Sequence, residues 1–293
     1  FGLLQPLVDV FKFLFKEDVI PSAADKFLYL LAPVLALLPA MTTFVVIPLA
    51  PTVTVGDRVV EMVVAPAETG VLLFLAIGSL GVYALVMAGY ASNNKYSLLG
   101  SIRASAQLIS YELALTLSVV AVLFPVGSFY LNDVVLYQQA FMWNAIPQIV
   151  GFVVFVIAAF AETNRLPFDL PEAESELVAG YHTEYSAMRF AIFFMSEYIN
   201  MATLSALGAT LYLGGWSLPG LDMSGWHWLP AVLVGFSILM AKVGLALFFF
   251  VWVRWTFPRF RYDQLMHLGW KVLLPLSIVN LLAVAAMTLA GWI

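Results

Sequence analysis

The sequence contains no cysteine, which excludes disulfides and cysteine-ligated metal or iron–sulfur centres from this chain. Charge is scarce as well: 11% of the 293 residues are charged, against roughly a quarter in a soluble domain. The three histidines, His182, His227 and His267, stand far apart with no paired ligand spacing, which argues against a haem or zinc site. Neither GxGxxG nor a P-loop occurs, so nothing points to nucleotide binding. The net charge of −5 comes mostly from one acidic segment, and nucleic acid is not a plausible ligand. What fills the chain is apolar: 62% hydrophobic residues and a mean hydropathy of +0.95. That is the composition of an integral membrane protein.

Seven stretches are continuously apolar over about 20 residues, the length that crosses a bilayer. They lie near 27–49, 69–90, 105–127, 141–161, 187–213, 229–253 and 271–292. Continuous rather than alternating runs favour helices over a barrel. The expected fold is therefore all-α, a single polytopic membrane domain over 1–293. Alternating the loops puts Lys12, Lys16, Lys26, Lys95, Arg103, Arg165, Arg189, Arg254, Arg259, Arg261 and Lys271 on one side. Arg58 stands alone on the other, and Lys242 falls within a span. Positive charge marks the cytoplasmic side, so the C-terminus is expected outside.

The first segment, FGLLQPLVDVFKFLFKE (1–17), is a different object. Leu3, Leu4, Leu7, Val8, Phe11 and Phe15 gather on one helical face, with Asp9, Lys12 and Lys16 on the other. An amphipathic helix lying in the membrane interface fits this pattern. A helix packed on protein fits it equally, and its face can also roof a cavity for a greasy ligand.

Glu112, Glu197 and Lys242 fall inside expected spans, and Glu162 ends another. A central charge costs roughly 2.5–3.5 kcal/mol on insertion, so each needs compensating surroundings. Glu197 lies about ten residues into its span, ~15 Å of helix rise. A carboxylate there is protonated, paired or wetted. Several such carboxyls in one chain are the material of a proton relay, and Tyr111 and Tyr198 stand beside two of them. The plainer alternative has Lys242 neutralising a glutamate while the rest bond helix hydroxyls. That alternative weakens for the set, since one cation cannot satisfy three or four carboxyls.

Segment 162–186, ETNRLPFDLPEAESELVAGYHTEYS, is acidic although spans flank it. Glu162, Asp169, Glu172, Glu174, Glu176 and Glu184 face one cation, Arg165. Pro167 and Pro171 break the helix. Glu172, Glu174 and Glu176 share a face if the chain is extended and spread over a turn if it is helical. A solvated acidic loop would not be laced with Leu166, Phe168, Leu170, Leu177, Val178 and Tyr181.

This segment, followed by FFMSEYINM (193–201), closely resembles the signature of the quinone-site membrane subunit of respiratory complex I, called H in bacteria and 1 in mitochondria. FGLLQPLVDVFKFLFKE resembles that family's amphipathic segment, and the likeness runs along essentially the whole chain. The family has eight spans, so the resemblance implies a further span and a short basic stretch ahead of Phe1. It implies a subunit of proton-translocating NADH:quinone oxidoreductase in the bacterial plasma membrane, with quinone as substrate. Flavin (FMN) and iron–sulfur clusters are expected only in partner subunits. By motif position, Glu162, Glu172, Glu174, Glu176 and Glu184 match the family's loop acids and Glu112 and Glu197 its buried relay, joined here by Tyr111, Tyr198 and Lys242. Asp9, Lys12, Arg165, Asp169 and Arg254 are the matching candidates for the quinone chamber. The expected partners are the peripheral quinone-site and iron–sulfur subunits, small membrane-arm subunits and lipid. The nearest rival is the homologous anchor of membrane-bound hydrogenases or ferredoxin-linked complexes. A stand-alone transporter would predict internal repeats, and none is visible.

Overall fold

The computed structural model describes residues 2, 4–171, 178–221, 223 and 225–291. Among these residues six helices are long and apolar enough to cross a membrane. The chain opens with α1 (Gln5–Phe15), then α2 (Lys26–Thr42), whose N-cap Asp25 accepts from the backbone N–H groups of Phe27 and Leu28. A 3-10 turn, Thr43–Val46, extends α2. Helices α3 (Gly70–Gly78) and α4 (Leu80–Ala91) meet at Ser79 and cross as one. The longest helix, α5 (Lys95–Val126), starts where Asn94 caps Tyr96 N and stops at left-handed Gly127. Then come α6 (Leu131–Ala140), α7 (Ile149–Glu162), α8 (Ala187–Tyr212) and α9 (Trp228–Thr256). The last crossing joins α10 (Tyr262–His267), a π-helical turn (Leu268–Leu273) and α11 (Leu274–Leu289).

α5 is the hub, packing against α4, α7 and α11, while α2 packs between α4 and α8. Its buried face is built from small residues, including Ser97, Gly100, Ser101 and Ala104, which let neighbouring backbones approach closely. A Cβ on Gly100 would lie 2.8 Å from Gly180 Cα, so the loop after α7 rests directly on α5. Large apolar side chains point outward instead: Leu245, Phe248, Val279 and Leu282 are all exposed, as lipid-facing positions should be. Loop contacts define two ends. At one, Asp25 N donates to Ala91 O (3.0 Å) and Phe260 N to Pro167 O (3.0 Å). At the other, Leu49 N donates to Met62 O (2.9 Å) and Val71 N to Phe129 O (3.2 Å).

Three expectations change. The stretch 141–161 is helical only from Ile149, because residues 144–148 fold into turns that bury Asn144 and Gln148; α7 has 14 residues, ~21 Å of rise. The third span begins ten residues before the expected 105, since Asn94 supplies a cap that hydropathy does not register. A hairpin pairs Val53–Val55 with Arg58–Val60, turning at Gly56, whose φ of +64° suits glycine. The segment 1–17 is helical over Gln5–Phe15 and touches α8, with Phe13 and Phe190 rings 6.1 Å apart. Leu4, Val8, Phe11 and Phe15 in that segment are exposed.

Candidate functional site

α7 stops at Glu162 because Asn164 adopts a left-handed conformation (φ +51°) and Arg165 N reaches back to Phe160 O at 3.4 Å. This turn carries Arg165 towards α8. Its side chain is buried, with the guanidinium 4.2 Å from the Tyr198 ring centroid and Nη2 3.6 Å from Glu197 Oε2. At that length the pair is an ionic contact rather than a direct hydrogen bond. On the other carboxylate oxygen, Tyr181 Oη donates to Glu197 Oε1 at 3.2 Å. Tyr181 is in turn fixed to α5, since Ser97 Oγ donates to its carbonyl at 2.8 Å. Burial of Glu197 to 6% exposure is therefore matched by a cation and a hydroxyl.

Two small cavities, each of about 40 Å³, share part of their lining, and Glu197 lines one of them. One is lined by Glu112, Glu162, Thr43, Ser79, Asn200 and Thr203 among others. The other is lined by Glu162, Asn164, Tyr181, Ser196, Glu197 and Asn200 among others. They share Gly78, Glu162 and Asn200, so Glu162 stands between Glu112 and Glu197. A water needs roughly 10–15 Å³, so each cavity has room for two or three. Glu162 Oε2 has no hydrogen-bond partner among the described residues, and a buried carboxylate oxygen of that kind calls for water or a proton.

The other candidates lie around this row rather than in it. Asp169 pairs with Arg259 at 2.8 Å; burial pushes its carboxyl above the ordinary range and Arg259 pulls it partly back. Glu184 accepts from Asn94 Nδ2 at 2.7 Å, and its carbonyl accepts from Tyr29 Oη at 2.7 Å. Tyr111 turns its hydroxyl to Leu265 O (2.9 Å) on the last crossing. Asp9 accepts from Gln5 Nε2 at 3.1 Å, and Lys12 and Arg254 are exposed. Glu172, Glu174 and Glu176 lie outside the described residues.

Lys242, a candidate for the relay, does not pair with a glutamate as the plainer alternative had it. Its ammonium donates to three carbonyls, Leu213 O (2.6 Å), Gly215 O (2.7 Å) and Ser217 O (2.5 Å), and lies 5.2 Å from the Trp143 ring centroid. These carbonyls end or follow α8, where unpaired C=O groups concentrate negative partial charge. Lys242 is therefore a helix cap, away from both cavities. Residues that sequence reasoning passed over are Gln107, Asn200 and Arg259, and also Tyr181, noted only as apolar. For Gln107 the available signal was an amide within an expected span.

His182 lies in the 3-10 turn Gly180–His182, edge-on to Tyr181, Phe190 and Phe194. Burial lowers its pKa from 6.5 to about 4. The folded state thus binds the proton less well than the unfolded one. Its contribution to stability is complete above about pH 6.5 and is lost as pH falls towards the folded value. His182→Phe, which preserves the ring packing, is expected to melt less acid-sensitively than the wild type. Melting curves at about pH 7.5 and about pH 5 measure this, and identical pH dependence would contradict it.

Comparison with known proteins gives a family model described as NADH dehydrogenase, matching residues 1–285. The chain is 52% identical to the first of the NADH-quinone oxidoreductase H subunits of Geobacter metallireducens, over all of this chain and 83% of that protein. It is 50% identical to the second H subunit of Geobacter sulfurreducens, again over all of this chain and 83% of that protein. The first H subunit of Cytophaga hutchinsonii is 45% identical over 98% of this chain and 84% of that protein. With helices, acidic segment and full-length likeness in agreement, the chain belongs to the NADH dehydrogenase family, whose members include the bacterial H subunits of NADH-quinone oxidoreductase.

Proposed function

We propose that this chain forms part of the quinone chamber of NADH:quinone oxidoreductase and couples quinone reduction to proton movement through Glu197, Glu162 and Glu112. The observation that carries the reading is the pair of adjoining cavities in which Glu162 serves both neighbours. Carboxyls separated by one or two waters exchange protons without either charge entering lipid. Arg165 stabilises Glu197 when it is ionised, and Tyr181 donates to it. The segment 162–186, with Asp169, Glu172, Glu174, Glu176 and Glu184, faces the cytoplasm by the positive-inside rule and feeds protons to the row. Asp9, Lys12 and Arg254 border the chamber at the same end. Partner subunits hold the electron carriers, and this chain supplies shape, protons and field.

Glu197→Gln tests the reading, because the amide keeps the shape and much of the hydrogen bonding without carrying a proton. In the assembled complex, quinone-linked turnover is expected to fall roughly tenfold or more, with assembly intact. Wild-type turnover together with wild-type proton yield in vesicles would refute it.

A further inference from the structure

We infer that Gln107 is a positioning residue for the carboxylate row, holding residues 161–168 so that Arg165 lies against Glu197. The inference rests on the function proposed above and adds a residue to it. Gln107 is fully buried on α5. Its Nε2 donates to Ala161 O at 2.9 Å and to Phe168 O at 2.8 Å, with Asn164 Oδ1 a further 3.4 Å contact. One amide thus staples the last turn of α7 to the far side of the left-handed turn, and Glu162 and Arg165 lie within the segment it closes.

Other contacts hold this segment from different directions. Thr163 Oγ1 bonds back into its own helix, at Ala159 O and Phe160 O. Phe260 N and Arg259 hold Pro167 and Asp169 from the loop after α9. Gln107 holds it from α5. The chemistry demanded there is specific: two carbonyls need two N–H donors from one side chain, which an amide supplies and a carboxyl or thioether does not. Gln107 precedes Glu112 by five residues, about 140° around the helix, and lines neither cavity. Its influence on the row must therefore pass through the segment it holds, which carries both Glu162 and Arg165, and we assign it to Arg165.

A double-mutant cycle in the assembled, purified complex tests this, with Gln107→Met, Arg165→Met and the double variant. Gln107→Met is expected to lower quinone turnover roughly three- to tenfold and to displace the pH–rate profile in the same sense as Arg165→Met. The double variant is expected to match Arg165→Met alone, since the inferred effect of Gln107 on turnover is exerted through Arg165. Multiplicative losses, or an unchanged pH–rate profile in Gln107→Met, would reduce Gln107 to a stability role and overturn the inference. Wild-type behaviour of Arg165→Met would instead remove the proposed site, whereas an impaired Arg165→Met beside a normal Gln107→Met overturns Gln107 alone. Should Gln107→Met fail to assemble, Gln107→Glu takes its place. A protonated carboxyl keeps one donor, so its deficit is expected to shrink as pH is lowered, and a deficit independent of pH would overturn the inference.

Discussion

Glu162→Gln in the assembled complex is expected to lower quinone-linked proton translocation on the order of a hundredfold while leaving heat stability nearly unchanged. Glu162 lines both cavities, and it is the one carboxyl that does, so a proton passing between Glu197 and Glu112 through them has its carboxyl as the shared acceptor. Glutamine fills the same space and buries no ionisable group, and buried neutral amides cost less than buried charges. The amide does not take up and release a proton near neutral pH, so the row is cut in its middle. Proton uptake into vesicles, measured beside quinone turnover and melting temperature, separates the two effects. Wild-type proton yield would show that protons bypass Glu162.

Lys242→Met is expected to do the opposite, damaging the structure rather than the proton path. Removing the ammonium strands Leu213 O, Gly215 O and Ser217 O beside α8 without their donor. Each stranded carbonyl costs about 1–3 kcal/mol, and three together roughly 3–6 kcal/mol after local relaxation, a large share of any domain's stability. The variant is expected to assemble poorly or to melt well below the wild type. Lys242→Arg should recover part of the loss, because its planar fork meets three carbonyls less well than an ammonium. Normal melting with a lost proton yield would return Lys242 to the relay.

The difference between these two residues was not legible in the sequence. Both are charges in apolar surroundings, and insertion cost treats them alike. Backbone carbonyls are the partners of Lys242, and carbonyls carry no sequence identity, so the sequence offered only the relay or a glutamate partner. The buried carboxylates were legible for the converse reason: Glu112, Glu162 and Glu197 interrupt otherwise apolar runs, and the acidic segment resembles a known signature. Most crossings followed directly from hydropathy. The start of α5 did not, because Lys95, Ser97 and Arg103 dilute its first turns while Asn94 provides the cap. The short α7 did not either, since Phe141, Met142 and Trp143 extend an apolar run that the chain spends on turns. For Gln107 the sequence showed only an amide within an apolar run, because its two backbone acceptors lie more than fifty residues away in sequence.

Proton exchange among Glu197, Glu162 and Glu112 on quinone reduction is measured most directly by redox-triggered infrared difference spectroscopy of the assembled complex. The expected spectrum contains a protonated-carboxyl band that changes on quinone reduction, loses one component in Glu197→Gln and another in Glu162→Gln. A spectrum without carboxyl change, or bands identical in wild type and both variants, would contradict the carboxylate row as a proton path.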